Sequence, residues 1–102
     1  MKVINLKRGQ GKTTRLLYAS EFDEIPILCE TRETKKFLLD TAFQLGLTIP
    51  EPITVNDLIS NKSTMHYSDI LIDEAPHVLQ CLLRNLGVVD DIRAITLTSD
   101  KI

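Results

Sequence analysis

The sequence has no excess of basic residues and no long apolar run, and each absence excludes a class of function. Twelve Lys and Arg stand against fourteen Asp and Glu, a formal net charge of -2. Proteins that bind mainly by covering nucleic-acid phosphates are strongly positive instead, although contact through a local basic patch stays open. The apolar runs are too short to cross a membrane, and the first residues lack the apolar core of a secretory signal. We therefore expect a cytoplasmic protein without membrane association.

The chain is also short and contains few cysteines. Its 102 residues can bury roughly two-thirds of the unfolded surface, enough for one modest core. No repeat, low-complexity tract or linker divides it. Cys29 and Cys81 lie in apolar stretches and not at metal-ligand spacing, so we expect buried hydrophobic side chains without a disulfide. The sequence predicts one domain over residues 1–102.

Short apolar runs alternate with segments of helical period. Runs typical of buried strands lie at residues 3–6, 26–29, 69–72 and 93–100. Helices are predicted at residues 13–20, 32–45, 55–60 and 76–86. Thr31 is the predicted N-cap of the second helix, and Gly46 and Gly87 end the second and the last. This alternation predicts a parallel sheet whose ligands bind at the carboxyl ends of the strands.

A glycine loop follows the first predicted strand and opens the first helix, with the residues Gly9, Gln10, Gly11, Lys12, Thr13 and Thr14. Glycines let backbone N–H groups turn toward phosphate oxygens, and a helix N-terminus adds partial positive charge. Lys12 would reach the outer phosphates, and the Thr13 hydroxyl would coordinate Mg²⁺. The usual spacing G-x-x-x-x-G-K-[ST] puts a glycine where this chain has Leu6, so the loop entry must differ. The alternative is a chance glycine turn before a helix that starts with lysine.

The third predicted strand ends in two acids, Asp73 and Glu74. A carboxylate at the end of a buried strand can hold a magnesium-bound water, and the next one can polarise an attacking water. Asp73 is the candidate metal ligand and Glu74 the candidate base. The alternative is that both acids merely begin the next helix, where negative charge is favourable.

The segments KRGQGKTT and ILIDEA resemble the Walker A and Walker B motifs of P-loop NTPases with an additional catalytic glutamate. The resemblance implies a three-layer fold with a four-stranded parallel sheet of order 1-4-3-2 and helices on both faces. It also implies a polar sensor on the last strand, Thr98 or Ser99.

Two narrower resemblances lie within the same group. DEAP followed by LTSD is similar to the early motifs of superfamily 1 helicases, although Pro76 replaces the usual glutamine and the second half of such a motor is missing. GKTTRLL is similar to the start of thymidine kinases, without their zinc-binding cysteines.

As a whole the chain resembles small P-loop proteins encoded by phages of Gram-positive bacteria. The resemblance implies binding of ATP or another nucleoside triphosphate with Mg²⁺, and a role in phage DNA metabolism inside the host cytoplasm. Hydrolysis is expected to be slow, with an arginine supplied by self-association, through Arg84 or Arg93, or by a nucleic-acid-processing protein partner. The alternatives are a regulatory or interaction protein that binds nucleotide without hydrolysing it, and a decayed helicase-like fragment. His66 and His77 are interpreted as surface or capping residues.

Overall fold

The computed structural model describes residue 4 and residues 11–61, 64–87 and 89–96. The elements in this part of the chain are α1 (Lys12–Asp23), β1 (Ile27–Cys29), α2 (Arg32–Gln44), β2 (Ile53–Thr54), α3 (Val55–Ser60), β3 (Leu71–Ile72) and α4 (Ala75–Asn85). Residues 3, 5 and 6 of the first predicted strand and residues 97–100 of the last lie outside it. No helix of the described residues is long and apolar enough to cross a bilayer.

The sheet has three parallel strands in the order β2-β1-β3. Leu28 in the central strand faces Ile53 on one side and Ile72 on the other. Backbone hydrogen bonds fix the second pairing, because the Leu71 N–H donates to the Pro26 carbonyl at 3.0 Å and the Asp73 N–H to the Leu28 carbonyl at 3.1 Å. The carboxyl ends of all three strands therefore lie at one edge of the sheet.

The predicted four-stranded sheet of order 1-4-3-2 is wrong. That order leaves the strand at 27–29 at an edge, whereas Ile53–Thr54 pairs with it and makes it central. The sequence does not predict β2, since it is only two residues long and follows Pro50 and Pro52. Residues 93–96 of the last predicted strand are described and form no strand. Ile95 there is 43% exposed, so its strand propensity is not supported by packing.

Alternating side chains of β1 divide the core between two helical layers. Ile27 and Cys29 pack against α1 and α2, with Leu16, Leu17, Leu38 and Ala42. Leu28 belongs to a second cluster, with Ile53, Val55 and Val78, that lies against α3 and α4. Helices therefore cover both faces of the sheet. Cys29 is buried as predicted, and Cys81 is half-buried.

The boundaries of α2 and α4 follow the predicted end signals. The Thr31 hydroxyl accepts from the Thr34 N–H at 3.3 Å, as expected for the N-cap of α2. The short helix α3 begins with a capping box, in which Thr54 and Asp57 bond each other's backbone N–H. Backbone N–H donation from Thr54 is the main cause that lowers the pKa of Asp57.

The apolar face predicted for α4 is only partly buried. The sequence predicts that Val78, Leu79, Leu82, Leu83 and Leu86 all face the core. Val78 is buried, whereas Leu79 and Leu86 are exposed. The helix packed beside α4 is α3, which has only six residues and covers about two turns. Helical period alone therefore predicts a wider buried stripe than this small layer can cover.

Glu24, directly after α1, provides a test of the backbone conformation. It has φ 56° and its N–H donates to the Ser20 carbonyl, a left-handed C-cap that favours glycine. Glu24→Gly should raise the free energy of unfolding by about 0.5–1 kcal/mol, because a side chain is strained there. Glu21→Gly, inside the same helix, should lower it by about 1 kcal/mol. Thermal and urea unfolding measure both; a loss of stability in both variants would contradict the left-handed cap.

Candidate functional site

An open cleft of about 430 Å³ lies at the carboxyl ends of β1 and β3. Its lining side chains are polar and come from three segments of the chain: Lys12, Glu30, Thr34, Asp73, Glu74 and His77. Glu30 and Asp73 directly follow the two strands, and the other four belong to the first turns or the caps of α1, α2 and α4. The parallel topology therefore gathers distant residues at one edge of the sheet.

Three helices begin at this cleft, which gives its wall a partial positive charge. The first amides of a helix lack intrahelical partners and attract anions. Gly11 precedes α1 with φ 81°, a left-handed conformation that glycine adopts without strain. Glu74, the N-cap of α4, directs its side chain to Lys12 and not to the amides of its own helix. The amides that open α1 and α4 are therefore uncapped by those two residues.

An ion pair joins the starts of α1 and α4. Lys12 Nζ donates to Glu74 Oε1 at 3.3 Å, although the residues are 62 positions apart in sequence. The two side chains are 36% and 51% exposed. A pair this open to water contributes at most about 1 kcal/mol. The ion pair therefore directs the Lys12 side chain toward Glu74, but it binds the lysine only weakly.

Asp73 is half-buried, whereas the neighbouring Glu74 is exposed. Burial is the main cause that raises the pKa of Asp73, the neighbouring Glu74 raises it further, and Lys12 opposes them. Its own N–H donates to the carbonyl of Leu28, so its backbone position is fixed by the sheet. A nearby cation stabilises the charged form of a carboxylate that is partly desolvated and lies beside another negative charge. Asp73 therefore fits a role as a ligand of Mg²⁺ or of a magnesium-bound water.

Glu74 occupies a strained turn between β3 and α4. Its φ and ψ are 55° and 62°, a left-handed conformation that costs a residue with a Cβ about 1–3 kcal/mol. Its carbonyl accepts the N–H groups of His77 and Val78, which begin the hydrogen bonding of α4. The turn therefore makes Glu74 part of the helix start and sends its side chain across the cleft.

Three predicted site residues, Lys12, Asp73 and Glu74, meet in the cleft. Thr13 and Thr14 are half-buried in the first turn of α1 and are not among the lining side chains. Three further predicted residues lie outside the described part of the chain: Gly9, Gln10 and Thr98.

The cleft also contains three residues that sequence reasoning did not select. Glu30 comes one position after β1, and continuing the register of β1 and β3 sets it opposite Glu74. The rule that ligands bind at the carboxyl ends of parallel strands could have identified it. Thr34 lies in the first turn of α2 and carries no sequence signal of its own. His77, interpreted as a surface or capping residue, is exposed and lines the cleft.

The protein alone offers a metal ion few ligands. Within residues 11–61, 64–87 and 89–96 no group of three or more His, Cys, Asp or Glu side chains is arranged to hold a metal ion. Mg²⁺ in phosphate sites commonly takes one or two carboxylates and completes its shell with phosphate oxygens and water. Asp73 suits such a shared shell and does not suit a metal held by the protein alone.

Comparison with protein-family models, with curated protein sequences and with solved structures gives no match for this chain. Its function is therefore inferred from the residues of the cleft.

The raised pKa of Asp73 predicts a pH-dependent stability. The native carboxyl binds a proton at higher pH than the unfolded one, so stability falls as the pH rises from the ordinary value of about 3.9 to the raised native value. Asp73→Asn has no charge to desolvate, so it should be more stable than wild type at pH 7 in metal-free buffer. The advantage should shrink as the pH is lowered toward about 4.

Thermal unfolding from pH 4 to pH 8 with a chelator measures this difference. The matched control is Asp69→Asn, at an exposed position two residues before β3. Its stability should differ from wild type by less than about 0.5 kcal/mol at every pH. An Asp73→Asn protein less stable than wild type at pH 7 would show that the native site favours the charged carboxylate.

Proposed function

We propose that this chain binds a nucleoside triphosphate, ATP or a related nucleotide, together with Mg²⁺ in the cleft between α1, α2 and α4. The meeting of Lys12, Asp73 and Glu74 at the start of α1 is the observation that carries the proposal. A lysine can bind the phosphates of a nucleotide, one acid can hold Mg²⁺ and a second acid can orient the attacking water. The amides of α1 and α4 that Gly11 and Glu74 leave uncapped, and the resemblance to P-loop NTPases, support the same ligand.

Each residue has a distinct role in this proposal. The Lys12 ammonium binds the outer phosphates as a point charge, and the first amides of α1 donate to phosphate oxygens. Asp73 holds Mg²⁺ directly or through water, and the Thr13 hydroxyl is a proposed further ligand. When bound, Mg²⁺ neutralises phosphate charge and polarises the terminal phosphoryl group. Glu74 orients a water molecule and accepts its proton.

Hydrolysis by this cleft is expected to be slow without a partner. Phosphoryl transfer requires positive charge around the terminal phosphate, and an arginine can contribute roughly a thousandfold or more. Among the described residues the cleft is lined by one lysine and no arginine. Arg84 lies in the last turn of α4, away from the cleft, and its Nε donates to the Asp90 carbonyl at 2.6 Å. Arg93 is exposed and does not line the cleft either. Another copy of the chain, through Arg84 or Arg93, is one proposed source of the arginine, and a nucleic-acid-processing partner is the other.

A second candidate function is nucleotide binding without turnover. The Lys12–Glu74 ion pair favours it, because a carboxylate that is hydrogen-bonded to lysine is not free to orient an attacking water. The protein would then act through a nucleotide-dependent interaction. Phosphate release distinguishes the two functions, since only the first predicts turnover that depends on Glu74.

Lys12→Ala tests the binding site. The substitution removes a charge-assisted contact with phosphate and should weaken ATP binding at least tenfold, the equivalent of about 1.4 kcal/mol or more. Stability should change little, because the Lys12 side chain is 36% exposed. Lys36→Ala removes a charge from the exposed side of α2 and is the control, with unchanged affinity expected. Calorimetric titration with and without Mg²⁺ measures both; equal ATP affinity in wild type and Lys12→Ala would contradict the site.

Glu74→Gln tests the chemistry. The amide cannot accept a proton, so nucleotide binding should persist while phosphate release falls about a hundredfold or more. Glu24→Gln, at the far end of α1, should release phosphate at the wild-type rate.

In wild type, phosphate release per molecule should rise with protein concentration if another copy supplies the arginine. Sedimentation would follow the assembly of the protein. Turnover equal in wild type and Glu74→Gln would exclude Glu74 as the base, and brisk turnover by a proven monomer would exclude the need for a partner.

A further inference from the structure

Among the residues that the structure describes, the cleft carries more negative than positive charge. Its described lining contains three carboxylates, from Glu30, Asp73 and Glu74, and one ammonium group, from Lys12. Lys12 is already paired with Glu74 at 3.3 Å. A polyphosphate entering without a metal ion therefore meets two further carboxylates and a lysine that another anion already binds. The amides of the helix starts attract it with partial charges only.

Phosphate and Glu74 compete for the Lys12 ammonium group, which can satisfy both anions only by sharing its three N–H donors between them. Both side chains are open to water and the pair is therefore weak, so a phosphate group, which carries more charge than a carboxylate, can displace the Glu74 carboxylate from Lys12. The backbone of Glu74 is fixed by its carbonyl hydrogen bonds to His77 and Val78, so displacement frees the side chain without moving the helix. The carboxylate then remains at the cleft, no longer bound to the lysine.

We propose that the Lys12–Glu74 ion pair is an autoinhibitory contact, in which the Glu74 carboxylate is bound to Lys12 instead of to an attacking water until the phosphates of a ligand take Lys12. This inference rests on the proposed function and adds a regulation of the same site. Ligand binding and activation are then the same event, because Lys12 releases the Glu74 carboxylate when it binds the phosphates. The same exchange lowers the affinity for metal-free polyphosphate, because Glu74 competes for Lys12 and repels the ligand.

The test is the affinity of wild type and two variants for ATP and for inorganic tripolyphosphate, both with a chelator in place of Mg²⁺. Glu74→Gln keeps the length of the side chain, and Glu74→Gly suits the left-handed backbone. Both should bind each ligand about two- to fivefold more tightly than wild type, the range that corresponds to an exposed ion pair. Glu51→Gln is the control, because it breaks the Lys35–Glu51 ion pair, which is 2.8 Å long and outside the cleft. Its affinity should equal that of wild type.

A spectroscopic measurement follows the exchange directly. In ¹³C-labelled wild type, tripolyphosphate should shift the Glu74 carboxyl resonance toward the position it has in the ligand-free Lys12→Gln variant, where the ion pair is absent. Unchanged or weaker binding by both Glu74 variants, or a carboxyl resonance that does not move on saturation, would overturn the inference. Binding of tripolyphosphate with the expected shift but no binding of ATP, even after Mg²⁺ is restored, would refute the proposed function and leave the exchange standing. Failure of wild type and both variants to bind either ligand, with the chelator or with Mg²⁺, would refute both.

Discussion

The pairing of β1 with β3 is the constraint on which the rest of the molecule depends. It brings a segment near residue 72 beside one near residue 28, and so sets Asp73 next to the end of the central strand. The same pairing puts the start of α4 beside the start of α1, where Lys12 and Glu74 meet. Since β1 also divides the core into two clusters, its three residues organise both the packing and the site.

The helices could be predicted because their signals are local. Thr31 caps α2, Gly46 follows it with φ 73°, and Pro76 lies in the first turn of α4, each as the sequence indicates. Strand order is not local, because it depends on which edge of β1 is occupied. Two residues, Ile53 and Thr54, occupy the edge that the predicted order left free, and so short a run gives almost no periodic signal.

The candidate site could be predicted in part for the same reason. Lys12, Asp73 and Glu74 belong to short motifs whose residue types carry a chemical meaning, so they could be selected without knowing their distances. Glu30 and His77 belong to no motif and reach the cleft only through strand register and helix position. The ion pair between Lys12 and Glu74 could not be foreseen, since it depends on side-chain placement across 62 positions of sequence.

The shortness of β3 has a consequence for how the site is lost. Leu71 is half-buried and Ile72 is exposed, so little apolar surface holds this strand to the sheet. Local opening of a native protein starts where few buried contacts oppose it. An excursion that detached β3 would carry away Asp73 and Glu74 together and leave Lys12 on α1. Exchange of the Asp73 amide hydrogen with solvent therefore reports how often both acids leave the cleft. The free energy of this local opening should be well below the free energy of unfolding of the whole domain.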